Sequence, residues 1–229
     1  PAGSIIVLHA CCHNPTGADL SEAQWKEVVE SVRARGLVAF IDMAYQGFAD
    51  GIEPDALALR LFAASGLQFF VSSSFSKSFS LYGERVGALS IVTASRDESA
   101  RVMSQVKRVV RTNYSTPPTH GGAVVTAVLA SPELRKLWEE ELAGMRERIR
   151  AMRTGLVDKL KARGVAQDFS FVARQRGMFS YTGLTAEQVE RLKSEFGIYA
   201  VSTGRICLAA LNTRNLDYVA DAIAAVIRK

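Results

Sequence analysis

Short apolar runs that each end on a polar turn recur through the first half of the chain: Ile5 to Leu8, Leu37 to Ile41, Leu67 to Val71 and Val86 to Val92. Runs of this length, bounded by turn residues, read as buried strands. Ser21 to Arg35 reads as a helix opening on a serine cap, and Asp55 to Ala64 as a second helix. The alternation continues to about residue 130 and predicts βαβ units with a largely parallel sheet. The pattern then changes. Pro132 to about Arg163 is one helix-forming stretch, long enough to bridge two domains. Beyond Gly164, short strands around Phe169 to Ala173, Met178 to Thr182 and Ile206 to Ala209 interleave with helices at Thr185 to Phe196 and Leu216 to Ile227. The predicted organisation is therefore a large α/β domain over 1–131, a helical connection over 132–163 and a smaller α/β domain over 164–229. No internal repeat, low-complexity tract or flexible linker interrupts it.

Candidate chemistry collects where the apolar runs end. Ser74 to Gly87 reads Ser-Phe-Ser-Lys-Ser-Phe-Ser-Leu-Tyr-Gly-Glu-Arg-Val-Gly, with Lys77 among hydroxyls and Arg85 eight residues later. A lysine amine can form a Schiff base with an aldehyde. Ser74, Ser76 and Arg85 can supply donors to a phosphate. A solvated surface lysine is the plain alternative, but a hydroxyl-rich turn after a buried strand is where open α/β sheets place ligands. The run before His9 leads into His13-Asn14-Pro15-Thr16-Gly17, a turn marked by proline and glycine. The run ending at Ile41 is followed by Asp42 and Tyr45. Asp42 can cap a helix or pair with a protonated pyridine nitrogen, as pyridoxal phosphate requires of a partner; Tyr45 and Asn14 can donate to that ring's phenolic oxygen. His9 and His13 are four apart, a ligand spacing only on a helix; Pro15 and Gly17 argue against a helix there, and no metal is expected.

The ordered motifs His-Asn-Pro-Thr-Gly, Asp-x-Ala-Tyr, Ser-x-Ser-Lys and Tyr-Gly-Glu-Arg-Val-Gly resemble those of the fold-type I, pyridoxal-phosphate-dependent aspartate and aromatic aminotransferases. Arg111 to Pro118, Gly177 to Leu184 and Gly204-Arg205 extend the resemblance over nearly the whole chain. It implies an aspartate-aminotransferase-like α/β fold, with 1–131 as the C-terminal part of the large, mainly parallel-sheet cofactor domain and 164–229 as the small domain. It also implies pyridoxal 5′-phosphate as cofactor, Lys77 as Schiff-base lysine and proton shuttle, and Asp42 as partner of the pyridine nitrogen. Tyr45 and Asn14 are implied as donors to the phenolic oxygen, and Ser74, Ser76 and Arg85 as phosphate ligands. Arg205 is implied to grip the substrate α-carboxylate. Arg111, with Ser115 nearby, is implied to reach across a homodimer with shared active sites to a side-chain carboxylate, with Phe179 lining the pocket.

The implied reaction is ping-pong transamination of amino acids with 2-oxo acids. Cys11-Cys12-His13 and Phe79-Ser80-Leu81-Tyr82-Gly83 look more like the bacterial aromatic branch, so the expected substrates are tyrosine and phenylalanine, also aspartate, with 2-oxoglutarate as acceptor. Aspartate aminotransferase is the alternative. A lyase on the same fold is disfavoured by the two arginines, and a non-catalytic effector module by the presence of every motif position. The chain opens at Pro1, one strand before His9, and is much shorter than the family's subunits; it is expected to be a C-terminal part, inactive alone.

Composition changes this picture little. Hydrophobic content of 48% and charged content of 22% suit a soluble α/β protein. No apolar run approaches membrane-spanning length. Cys11, Cys12 and Cys207 are an odd number with two adjacent, which fits a reducing, cytoplasmic setting better than a disulfide framework. A net charge of +5 spread over helices such as 101–111 and 146–163 is a solvated face rather than a nucleic-acid surface.

Overall fold

The structure, a computed structural model, describes residues 1–228 and divides into two compact units. The first comprises 1–10, 20–47 and 51–142, and the second 11–19, 48–50 and, of the described residues, 143–228. Pro132–Ala162 forms a single helix, and the change of unit falls within it, after Leu142.

The first unit is built on a four-stranded sheet of β1 (Ile5–His9), β2 (Val38–Met43), β3 (Phe69–Ser74) and β4 (Gly87–Val92), in that order. β1, β2 and β3 are parallel, and β4 adds an antiparallel edge. Helix α1 (Glu22–Ala34) begins at a capping box in which the Ser21 hydroxyl accepts from the Gln24 amide and the Gln24 side chain accepts from the Ser21 amide. Its buried residues Trp25, Val29 and Val32 recur at helical spacing. A short 3₁₀ turn (Pro54–Ala56) leads into α2 (Leu57–Ala64). Both helices pack on one sheet face, where Ala39, Ile41, Met43, Phe69 and Val71 meet Trp25, Val29, Val32, Ala58 and Phe62. α3 (Arg96–Asn113), α4 (His120–Ala130) and the first part of α5 (Pro132–Ala162) complete the unit.

Apolar residues stand on both faces of the sheet, and within this chain α1 and α2 cover one of them. On the other face Val7 is 63% and Leu89 54% exposed, and the first four residues of β4 are open to solvent. Asp42 is not a helix cap; it is the penultimate residue of β2.

In the second unit the core is drawn from the stripe Ile149, Met152, Leu156 and Leu160 of α5, with Val172, Leu192, Leu208 and Ile223. α6 (Ser170–Arg174) precedes β5 (Phe179–Tyr181), α7 (Ala186–Phe196), β6 (Arg205–Cys207) and α8 (Leu216–Ile227). β5 and β6 form an antiparallel pair. The strand expected at Phe169 to Ala173 is instead the short helix α6. Just before it the Asp168 carboxylate accepts from the amide and hydroxyl of Ser170, a local turn that competes with strand formation at the start of the apolar run. Lys159 and Arg163 of α5 bond Asp217 and Asp221 of α8.

Phe62 is fully buried against the Phe69 ring. Phe62→Ala should therefore cost about 3–5 kcal/mol, which a shift in the urea denaturation midpoint checks.

Candidate active site

Parallel strands end at a common edge, and the register decides which end residues meet. His9 pairs with Asp42 across β1 and β2, and Asp42 with Ser72 across β2 and β3. The three side chains form a row. His9 Nε2 lies 3.7 Å from Asp42 Oδ2, and the Ser72 hydroxyl donates to Asp42 Oδ1 at 3.4 Å. The carboxylate is thereby oriented from both sides at the carboxyl edge of the sheet, the ligand-binding edge of open α/β folds.

Lys77 lies in the loop joining β3 to β4. Both feet of that loop are pinned: Ser74 pairs with Gly87, and beyond the strands the Phe75 amide donates to the Val86 carbonyl at 3.2 Å. A Cβ on residue 87 would stand 2.6 Å from the Ser73 carbonyl oxygen, so the close approach requires Gly87. Ser74 and Ser76 occupy one foot and Arg85 the other. The Ser76 amide donates to the Ser74 hydroxyl at 3.2 Å; Arg85 is exposed, in the left-handed backbone region, and donates to the Tyr82 carbonyl at 2.9 Å. Lys77 Nζ sits 4.8 Å from the centroid of the buried Tyr45 ring, a cation–π contact. The loop is braced from α5, where Trp138 Nε1 donates to the Ser78 carbonyl at 2.6 Å and the indole stacks on Phe79 with centroids 4.5 Å apart.

Arg111 and Ser115, at the end of α3, are exposed and hydrogen-bonded to each other. Among the described residues, no hydrogen bond or ion pair joins either of them to Lys77 or Asp42.

The second unit assembles its own group. Asp19 closes the turn at residues 12–19 by accepting from the amides of Cys12 and His13 at 2.7 and 2.9 Å, and the Asn14–Pro15 bond is cis. Arg205 Nη1 donates to Asn14 Oδ1 at 3.0 Å, while its guanidinium carbon lies 4.8 Å over the Phe179 ring. β5 and β6 hold these two residues on neighbouring strands, with Phe179 opposite Cys207 and Tyr181 opposite Arg205. A planar guanidinium set between an amide oxygen and a ring face keeps further donors available for a carboxylate fork.

Sequence reasoning missed four participants. It sets His9 aside as a metal ligand without giving it another role and does not single out Ser72, because their placement follows from strand register. It also passed over Trp138 and Arg153, the second buried in the interior of the second unit. The helical spacing of Arg153 from Ile149 and Leu160, which places it on the apolar stripe of α5, was the available signal.

A mixed sheet with a lysine loop at its carboxyl edge, followed by a small α/β unit presenting an arginine, is the architecture of the fold-type I aminotransferases. A family model described as aminotransferase class I and II matches residues 1–223, and the chain belongs to that family. It is 71% identical over 227 residues to an aspartate aminotransferase of Pseudomonas aeruginosa and 53% identical over 227 residues to an aromatic-amino-acid aminotransferase of Escherichia coli. Each alignment takes in 99% of this chain and 57% of the relative, so the chain spans little more than half the length of these relatives. Among solved structures, an aromatic-amino-acid aminotransferase of Burkholderia pseudomallei, covalently bound to pyridoxal phosphate, is 73% identical with a TM-score of 0.98 over 99% of this chain and 57% of that one.

The brace on the Lys77 loop is open to measurement. Trp138→Ala removes both the hydrogen bond to Ser78 and the stack on Phe79, so amide exchange at Phe79 and Ser80 should accelerate about tenfold or more, while the core of α1 keeps its protection. Unchanged exchange at Phe79 and Ser80 would show that the loop does not depend on Trp138.

Proposed function

We propose that the subunit carrying these residues catalyses pyridoxal-phosphate-dependent transamination between aromatic amino acids, aspartate also being accepted, and 2-oxoglutarate. The observation that carries this reading is the pinned loop 75–86, in which one lysine lies on a buried tyrosine ring between two serines and an arginine. The donor set fits the cofactor: hydroxyl, amide and guanidinium groups for a phosphate, an amine for an aldehyde, and an oriented carboxylate for a ring nitrogen. When bound, pyridoxal 5′-phosphate supplies an aldehyde carbon and an electron-withdrawing ring.

The chain's own residues divide the remaining work. Lys77 would hold the cofactor through its amine and would move a proton at the α-carbon of a bound amino acid. Asp42, oriented by His9 and Ser72, keeps the proton on the ring nitrogen. Tyr45 and Asn14 donate to the phenolic oxygen, while Ser74, Ser76 and Arg85 hold the phosphate. Arg205 takes the α-carboxylate in a fork, beside the Phe179 ring. Arg111, with Ser115, serves the distal carboxylate of dicarboxylic substrates in the partner's site of a homodimer; its exposure at the end of α3 supports that role. Among the described residues the three cysteines form no disulfide, which supports a cytoplasmic setting. Among the described residues, no helix is long and apolar enough to cross a membrane.

A second reading, aspartate aminotransferase, is favoured by the name of the 71% identical relative from Pseudomonas aeruginosa. Both readings use the same machinery and differ in how far Arg111 dominates.

Lys77→Ala should lower the single-turnover rate by about 10³-fold or more, with circular dichroism unchanged; wild-type turnover would remove Lys77 from its role. Arg111→Leu should cost aspartate and 2-oxoglutarate roughly 100-fold in kcat/KM but phenylalanine little, because an aromatic side chain loses no ion pair. A parallel loss on phenylalanine would contradict the assignment, and a native enzyme that ignores phenylalanine would favour the second reading.

A further inference from the structure

We infer that Arg153 is a positioning residue for the carboxylate-binding group of the second unit, acting through the backbone of residues 172–180 on Phe179, Asn14 and Arg205. The inference rests on the reading of Arg205 given above.

The side chain of Arg153 is 1% exposed. Its guanidinium is surrounded by neutral oxygens. Nη1 donates to the Val172 carbonyl at 2.9 Å and the Ser180 hydroxyl at 2.6 Å, and Nη2 to the carbonyls of Arg176, Gly177 and Phe179 at 3.1, 2.6 and 2.8 Å. Burial pulls its pKa down to about 10, which leaves it cationic at neutral pH. No carboxylate bonds it directly, Asp19 acting on it only at longer range; enclosing a charge in this way is costly, and an apolar side chain would fill the same place at less expense. What the arginine adds is geometric. Three carbonyls from a four-residue span, running from the segment after α6 to the first residue of β5, converge on one nitrogen.

That stretch carries the rest of the group. The Arg176 amide donates to the Gly17 carbonyl at 2.7 Å. Gly17 lies in the left-handed region, and a Cβ there would stand 2.5 Å from the Phe179 carbonyl, so the turn bearing Asn14 rests directly on the backbone that Arg153 holds. Asn14 accepts from Arg205, and Arg205 lies over Phe179. Each candidate group is thus one contact from the clamped segment. Displacements of about 1 Å at such groups change binding and rate by up to roughly 100-fold.

The test uses the full subunit reconstituted with pyridoxal phosphate, in which binding of two unreactive acids, succinate and 3-phenylpropionate, is followed by the cofactor's absorbance. Arg153→Met should weaken both acids alike, by roughly tenfold to 100-fold, and raise KM for aspartate and phenylalanine in parallel while kcat falls much less. Ser180→Ala, which removes one of the five bonds and keeps the core, should move both acids in the same direction by about threefold. Arg153→Lys, retaining the charge but not the fork, should fall between them. Amide exchange at Arg176 should quicken in the same order, a readout independent of activity. If Arg153→Met does not fold, Ser180→Ala and Arg153→Lys carry the decision. Unchanged affinity for both acids in the folded variants, with only a lower melting temperature, would overturn the inference; so would a loss confined to one acid. Arg205→Lys is the control. If it weakens both acids while the Arg153 and Ser180 variants do not, the inference alone fails. If it has no effect on either acid, the reading of Arg205 fails and the inference falls with it.

Discussion

Three strands running parallel and in register bring the ends of three apolar runs to one edge, and the chemistry of the first unit depends on that constraint. A side-chain period of two puts His9, Asp42 and Ser72 on the same face at the same level. A slip of one residue in β2 would turn Asp42 toward the helix-covered core and leave Met43 at the edge. The packing of Ala39, Ile41 and Met43 against α1 and α2 resists that slip, so burial on one face fixes the position of a carboxylate on the other. The antiparallel edge strand does the same for the lysine: by pairing Ser74 with Gly87, β4 closes a loop whose two feet carry the serines and the arginine.

The second unit reaches comparable order by a different device. Its sheet is only two short strands, too little to fix the approach to β5. A buried guanidinium gathers the carbonyls of that approach, and the turn at residues 12–19 leans on the same backbone. The arginine that faces substrate in the proposed function and the arginine that stays hidden have opposite requirements. Arg205 must keep donors in reserve, whereas Arg153 commits both terminal nitrogens to the protein.

The legible part of this arrangement was local. Lys77, Asp42 and Asn14 sit where apolar runs give way to polar turns, Arg205 opens one such run, and the motifs shared with the family single out all four without any knowledge of pairing. The helices were legible through their caps and apolar spacing, Ser21 and Trp25 being the clearest. Residues whose role is long-range were not legible. His9 and Ser72 depend on strand register, Trp138 on where α5 passes Ser78, and Arg153 on which stripe of a basic helix turns inward. The misread segment, Phe169 to Ala173, has the apolar density of a strand; it forms a short helix preceded by the Asp168–Ser170 turn.

The central claim is that the loop between β3 and β4 exists to present one amine to an aldehyde. Borohydride reduction of the subunit loaded with pyridoxal phosphate, followed by peptide mapping, tests it directly, because reduction makes the amine–cofactor bond permanent at whichever lysine formed it. The account predicts a pyridoxyl group on Lys77 at about one per subunit. Label distributed over surface lysines such as Lys26, Lys107 and Lys136, or absent from Lys77, would contradict it.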